Sequence, residues 1–160
     1  MEIERKYLIT TLPAGYASYP FHQIEQGYLS TSPVVRVRRE DENYYLTYKA
    51  KGLMVREEYN LPLTKASYEH LVQKADGNLL TKKRYLIPLR ESSPLTIELD
   101  VFEGLFSGLV LAEVEFESEE DALAFVPPAW FGRDVTFSGE YQNSKLSAMG
   151  PDEIFKAIKS

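Results

Sequence analysis

The chain has no cysteine, so neither a disulfide framework nor a thiolate metal site can be built from it. It has two histidines, His22 and His70, one ahead of an expected strand and one on an expected helix, and they do not cluster. Its single tryptophan, Trp130, follows Pro127-Pro128 and is expected to pack a loop against the body of the fold. No apolar run reaches the roughly 18 residues of a membrane span. The first residues, with Glu2, Glu4, Arg5 and Lys6, are too charged for a secretory leader. A Gly-rich phosphate loop is also missing, which excludes a P-loop site. Basic charge is in deficit: 18 Lys and Arg against 24 Asp and Glu give a net charge of −6, the reverse of a nucleic-acid binder's footprint. A cytoplasmic protein without membrane or nucleic-acid partners is expected.

What is present is a succession of strands. Residues 1–160 are expected to form one domain, mainly β with a few helices, without repeat or linker. Eight candidate strands run over roughly 1–10, 23–30, 34–40, 43–51, 54–63, 79–90, 94–102 and 109–117. Turn chemistry separates them at Ser32-Pro33, Asp41-Glu42-Asn43, Lys51-Gly52 and Ser92-Ser93-Pro94, so neighbours are expected to be antiparallel. Helical spacing of Tyr68, Leu71, Val72 and Ala75 predicts a helix over 64–75, stopped by Asp76-Gly77. Ser118-Glu119-Glu120-Asp121 opens a short helix ending at Pro127-Pro128, and further helices are expected over 140–149 and 151–158.

Side chains alternate between the two faces of a strand, so each strand divides by parity. One face carries Glu2, Glu4 and Lys6; then Arg36 and Arg38; Tyr45, Thr47 and Lys49; Arg56, Glu58 and Asn60. The later strands continue with Lys82 and Arg84, Glu98 and Asp100, and Glu113, Glu115 and Glu117. The opposite faces are apolar apart from Arg5, Arg39, Glu57 and Lys83. The strand near 23–30 is ambiguous, because Glu25 and Gln26 fall on opposite faces.

An open sheet with one solvated face would give similar alternation, but it would not sort charge by strand. Here whole strands are acidic or basic, which sets like charges side by side and is unfavourable unless counter-ions sit there. A cation would neutralise the carboxylates and a polyanion the Arg/Lys rows; a metal triphosphate does both. Closing the sheet into a barrel turns these faces inward and removes exposed edges. Tyr44, Tyr48, Tyr59 and Tyr85 are then expected in the outer layer, with their hydroxyls near water.

The opening Glu2-Ile3-Glu4-Arg5-Lys6 contains Glu-x-Glu-x-Lys, followed in order by Arg36-Val37-Arg38, Thr47-Tyr48-Lys49, Arg56-Glu57-Glu58 and Lys82-Lys83-Arg84. Glu98-Leu99-Asp100, Glu113-Val114-Glu115 and Tyr141-Gln142-Asn143-Ser144 complete the series. Taken together it resembles the CYTH superfamily of triphosphate tunnel metalloenzymes, bacterial inorganic triphosphatases among them, over nearly the whole chain. The resemblance implies an eight-stranded antiparallel tunnel. It implies that Glu2, Glu4 and Glu115 hold the catalytic metal, with Glu113 and Asp100 nearby. It implies that Lys6, Arg36, Arg38, Lys49, Lys82 and Arg84 contact phosphate, and Arg56 joins them as a candidate. Asn60 departs from the pattern, since many relatives carry an acid there.

Hard oxygen donors suit Mg²⁺ or Mn²⁺. Arg36, Arg38 and Arg84 suit bidentate phosphate contacts, while Lys6, Lys49 and Lys82 act as point charges. Lys6 and Arg38 are the expected catalytic contacts, with Glu113 and Asp100 orienting the attacking water. The expected activity is metal-dependent hydrolysis of tripolyphosphate, with nucleoside triphosphates as looser substrates, by a monomer or homodimer. An adenylyl cyclase and a thiamine triphosphatase are the rivals within the family, and a non-catalytic polyphosphate-binding module is the rival outside it. Tyr141 and Lys145 are read either as lining the tunnel mouth or as packing and solvated residues of the C-terminal helix.

Overall fold

Alternation over Glu2–Leu8, the first strand (β1), is repeated around the computed structural model, which describes residues 1–159. The following strands are β2 (Phe21–Thr31), β3 (Val34–Glu40), β4 (Asn43–Lys49), β5 (Val55–Arg56) and β6 (Glu58–Pro62). Then come β7 (Asp76–Pro88), β8 (Thr96–Glu103) and β9 (Val110–Glu115). All pairings are antiparallel, in the order β5-β1-β9-β8-β7-β2-β3-β4-β6. The two ends of this order are halves of one run: β5 pairs with β1 (Glu2 opposite Arg56) and β6 with β4 (Lys49 opposite Glu58). The sheet therefore closes on itself as a nearly complete barrel.

The single strand expected over 54–63 is thus two, which makes nine strands of the expected eight. The chain leaves one partner for the other at Glu57. There the Ala50 amide donates to the Glu57 carbonyl at 3.0 Å, and the Glu4 amide donates to the Met54 carbonyl at 3.0 Å. The apolar face resumes at Tyr59 and Leu61 in the same parity as Val55, and Glu57 interrupts it only as Arg39 and Lys83 interrupt unbroken strands, so the pattern does not single out the corner. The ambiguous second strand resolves with Gln26 turned inward, while Glu25 faces out and accepts from the Tyr68 hydroxyl at 2.7 Å.

Helix α1 (Lys65–Val72) starts at a reciprocal cap between Thr64 and Ser67 and packs Tyr68 against Tyr44 and Val37. It ends short of the expected Ala75 because β7 already begins at Asp76. Gly77 takes φ +67° there, with its Cα so close to α3 (Asn143–Ser147) that a Cβ would lie 2.1 Å from the Ser147 carbonyl oxygen. Helix α2 (Glu119–Ala124), capped by Ser118, covers the outer face of β1, and α4 (Pro151–Lys159) follows α3.

The apolar faces point outward beneath these coverings, as in the cluster of Tyr7, Tyr85, Ile97, Leu99 and Val114 with Phe125 and Trp130. The outer tyrosines divide. Tyr59 is exposed, whereas Tyr44 is buried with a hydroxyl that has no hydrogen-bond partner among the described residues, contrary to the expectation that it meets water. Arg5, on the outer face, is buried too: it donates to Asp134 at 2.6 Å and to the Ala122 carbonyl at 2.6 Å, tying the loop after α2 to the barrel. Arg39 and Lys83, two more of the exceptions, lie on the outer surface beside Glu42 and Glu103.

The inward rows are not charged throughout. Toward one end Leu8, Val34, Leu80, Phe102 and Leu111, each of the same parity as its strand's charged residues, join Leu146 and Ile154 of α3 and α4 in one apolar cluster. The bore is therefore polar over only part of its length, with an apolar plug beside it.

Gly77→Ala tests this junction. A side chain at positive φ and against a backbone carbonyl should lower stability by more than about 2 kcal/mol, read as a drop in the chemical-denaturation midpoint. An unchanged midpoint would show that β7 and α3 separate without cost.

Candidate active site

Closure of the sheet gathers the polar rows around one cavity of about 410 Å³. Of the residues expected at a site, Glu2, Glu4, Lys6, Arg36, Arg38, Lys49, Arg56, Lys82, Arg84, Glu113 and Glu115 line it, as do Glu58, Asn60 and Glu98. Asp100 does not. It is fully buried behind the wall, with Oδ1 accepting from Arg84 Nε at 2.7 Å and Oδ2 from Lys82 Nζ at 2.7 Å and Arg84 at 2.9 Å. Both oxygens are occupied, so its place is that of a clamp on two cations and not of an open metal ligand or water-orienting base. Arg84 and Lys82 hold the Asp100 carboxyl below the ordinary range despite its burial.

The basic wall is built by β3 and β7. Arg38 Nε donates to Gln26 Oε1 at 2.8 Å, which fixes the guanidinium and leaves its terminal nitrogens toward the cavity. Burial, with Arg36 and Arg84 close by, pulls the Arg38 value down to about 10. Arg36 reaches Thr47 Oγ1 at 3.3 Å, and Thr47 in turn donates to Asn60 at 2.6 Å. The Arg36 Nε is buried without a hydrogen-bond partner among the described residues. Burial and the neighbouring Arg84 and Arg38 bring the Lys82 ammonium down to about 7, against the pull of Asp100. Positive charge on this wall exceeds what the protein itself neutralises.

The opposite wall has the reverse excess. The Glu4 carboxyl group makes no hydrogen bond or ion pair among the described residues, and enclosure together with Glu113 and Glu2 raises its value to about 8. Glu115 is raised too, by enclosure and by Glu2 and Glu98. Other acids are compensated: Glu2 and Glu58 lie 2.9 and 3.3 Å from Lys49 Nζ. Glu113 lies 3.3 Å from Lys6 and 3.2 Å from Arg84, which overcome burial and hold it well below the ordinary range. Among the described residues no three carboxylates converge as a ready-made cage for a cation. The donor set nevertheless fits a hydrated Mg²⁺ or Mn²⁺, which uses one or two carboxylates and fills its shell with water and phosphate oxygens.

Two amides, without a role in the sequence reading, connect the basic wall to the C-terminal helix. Asn143 Oδ1 accepts from Lys82 Nζ at 2.9 Å and from Gln26 Nε2 at 2.9 Å, so one carbonyl oxygen orients both the lysine and the glutamine that holds Arg38. Asn143 stands in the Tyr141-Gln142-Asn143-Ser144 motif, which was the available signal. Of the two residues left open there, Tyr141 is buried, with its carbonyl accepting from Lys6 Nζ at 3.3 Å, and Lys145 lies outside the main cavity.

A closed antiparallel barrel with opposed carboxylate and guanidinium–ammonium walls facing one bore defines a tunnel class of protein. The chain belongs to the CYTH domain family, which it matches over residues 1–149. It is 39% identical over 155 residues to the inorganic triphosphatase of Nitrosomonas europaea, covering 94% of this chain and 99% of that one. It is 33% identical over 163 residues to the inorganic triphosphatase of Acetivibrio thermocellus, covering 97% of each. The crystal structure of an inorganic triphosphatase superposes with a TM-score of 0.70 at 37% identity, covering 94% of this chain and 97% of that one.

The raised Glu4 value sets a pH dependence. Its contribution to stability is complete below the ordinary 4.5 and is lost as pH rises toward 8, because the folded state holds the proton more tightly than the unfolded one. Glu98 and Glu115 act in the same sense. Lys82 opposes them only above about 7. In chelator the melting temperature should therefore fall from about pH 5 to about pH 7, and Glu4→Gln should flatten much of that fall. A melting temperature rising over this interval would contradict the crowding of carboxylates described here.

Proposed function

We propose that this chain is a metal-dependent inorganic triphosphatase that hydrolyses the terminal phosphoryl group of tripolyphosphate and, more loosely, of nucleoside triphosphates. The observation that carries this reading is the pair of uncompensated walls in one lumen. Burial together with neighbouring cations keeps Arg38 from its full basicity, and burial together with neighbouring carboxylates keeps Glu4 from ionising freely at neutral pH. A polyanion relieves the first and a divalent cation the second. The two triphosphatase relatives support the same reading.

Glu2, Glu4 and Glu115, with Glu113 adjoining, would hold Mg²⁺ or Mn²⁺, which would supply positive charge to the phosphate oxygens. Arg36, Arg38 and Arg84 grip the equatorial oxygens, with Lys6, Lys49, Arg56 and Lys82 as further contacts. Phosphoryl transfer needs little covalent participation by the protein, and positioned charge stabilises its spread-out transition state. Water attacks the terminal phosphorus, the bond to the bridging oxygen breaks, and the water's proton passes to the acidic wall; orthophosphate and pyrophosphate leave. Glu113 and Asp100, expected to orient this water, have oxygens engaged by Lys6, Arg84 and Lys82, so their part is to hold those cations in place.

Among the described residues only Tyr28 and Tyr45 bring aromatic rings to the lumen, and the charges that the protein leaves uncompensated there suit phosphate or metal. That favours a substrate read by its phosphates over a cyclase, which must fix a ribose hydroxyl against the α-phosphate. A protein that merely binds polyphosphate has no use for the acidic wall.

Chelation should abolish turnover, and Mg²⁺ or Mn²⁺ should restore it. Arg38→Ala or Arg84→Ala should cost about 2–4 kcal/mol in kcat/KM, with Lys rescuing in part, whereas Arg39→Ala and Lys83→Ala on the outer surface should be nearly silent. Chromatography of products decides the reaction: ADP and orthophosphate from ATP are expected. Cyclic AMP as the main product would overturn the hydrolase reading, and tight tripolyphosphate binding without products under either metal would leave a binding module.

A further inference from the structure

Side-chain amides stand in or against the lumen at Gln26, Asn60, Gln142 and Asn143. All but the last have an acceptor for their nitrogen. Asn60 Nδ2 donates to Glu58 Oε1 at 3.0 Å, Gln142 Nε2 to the Gly52 carbonyl at 3.1 Å, and Gln26 Nε2 to Asn143 Oδ1 at 2.9 Å. Asn143 Nδ2 has no acceptor among the described residues. Nor is it sealed from solvent, and the residue opens onto the lumen.

The direction of this amide is forced by its neighbours, because Arg38 and Lys82 carry donors only. Arg38 Nε donates to Gln26 Oε1 at 2.8 Å, so the other end of the Gln26 amide is the donor that reaches Asn143. Lys82 Nζ donates to the same Asn143 oxygen at 2.9 Å. A turned-over Asn143 amide would set N–H against N–H at both contacts. Nδ2 is therefore held on the side away from Lys82 and Gln26, as a neutral donor fixed before any ligand arrives. Leaving such a donor unmatched in an enclosed site is unfavourable, and in a wall of cations its acceptor must come from an anion in the lumen. We infer that Asn143 is a further substrate contact, with Nδ2 donating to a phosphate oxygen of the bound chain while Oδ1 keeps Lys82 and Gln26 in place. The inference rests on the triphosphatase reading for the identity of the ligand. Another cation at this position would crowd Lys82, which burial, Arg84 and Arg38 already bring down to about 7. An amide adds a donor without adding charge.

The test reads the amide itself, by magnetic resonance of wild-type protein isotope-labelled at its asparagines, Asn43, Asn60, Asn78 and Asn143. Tripolyphosphate is added in chelator, where turnover does not interfere. One proton of the Asn143 side-chain amide should move downfield and exchange more slowly with water. Asn78, bonded to the Leu146 and Met149 carbonyls, should keep its position. An Asn143 amide that stays in place at saturating tripolyphosphate would overturn the inference, whether or not any variant folds. Calorimetry gives the second readout. N143A should lose roughly tenfold to a hundredfold in affinity for tripolyphosphate, the range for a hydrogen bond to a charged group. N143D keeps an acceptor for Lys82 and Gln26 but presents no donor, and should lose at least as much. Wild-type affinity in N143D would show that the carbonyl alone matters, and the contact fails. Unchanged binding by N143A with a lowered kcat would put Nδ2 on the attacking water, which also overturns the inference. Hydrolysis by the wild type with Mg²⁺ is scored separately. Its absence rejects the triphosphatase reading, whereas an unmoved amide in a protein that turns over tripolyphosphate rejects only the Asn143 contact.

Discussion

The ion cluster of Asp100 with Lys82 and Arg84 sets the terms for the rest of the structure. A carboxylate without solvent contact is stable only while both cations stay on it, and removing one partner of such a buried cluster typically costs about 3–5 kcal/mol. The cations are in turn crowded by Arg38 and Glu113, so each position in the wall depends on its neighbours. Replacing the cluster with apolar residues would satisfy burial more cheaply and remove the lumen. Its energetic disadvantage is intelligible only if a ligand of opposite charge completes it.

Neutral groups anchor this charged wall. Gln26 and Asn143 present carbonyl oxygens to Arg38 and Lys82 without adding charge, so they orient cations without cancelling them. Carboxylates at those positions would neutralise the wall that is left in positive excess. The distinction between Asp100, which compensates, and Gln26, which only aims, governs how much charge remains for a ligand.

Much of this was legible in the sequence because charge and parity are local properties. Arg36 and Arg38, Lys82 and Arg84, Glu113 and Glu115 announce their faces by spacing alone, and those strands turn those residues to the bore. Three features were not legible, each for a physical reason. The corner at Glu57 is set by which edge the backbone must reach, and one charged residue on an apolar face, as at Arg39 or Lys83, does not distinguish it. Leu8, Leu80 and Leu111 share parity with charged residues, so they interrupt an inward row and give no sign of the plug formed with Leu146. Gln26 and Asn143 acquire meaning only across the fold, since an amide carries no charge pattern to follow. Asp100 was placed with the open acids because strand parity gives a direction and not the identity of the neighbour.

The break at Glu57 also divides the lumen by its history of assembly. β2, β3 and β4 follow one another through short turns, as do β7, β8 and β9, so most of the basic wall can form from hairpins between near neighbours in the chain. β1 has no such partner. It pairs with β9, at the far end of the sheet's sequence, and with the two residues of β5 that the corner delivers to it. Contacts of that span are slow to form, since a long loop must close before they are rewarded. Glu2, Glu4 and Lys6 therefore share the stave whose pairing with β9 closes the longest loop in the sheet. A chain released early, or one whose corner is misplaced, would keep the basic rows and the carboxylates of β8 and β9 but lack Glu2, Glu4 and Lys6.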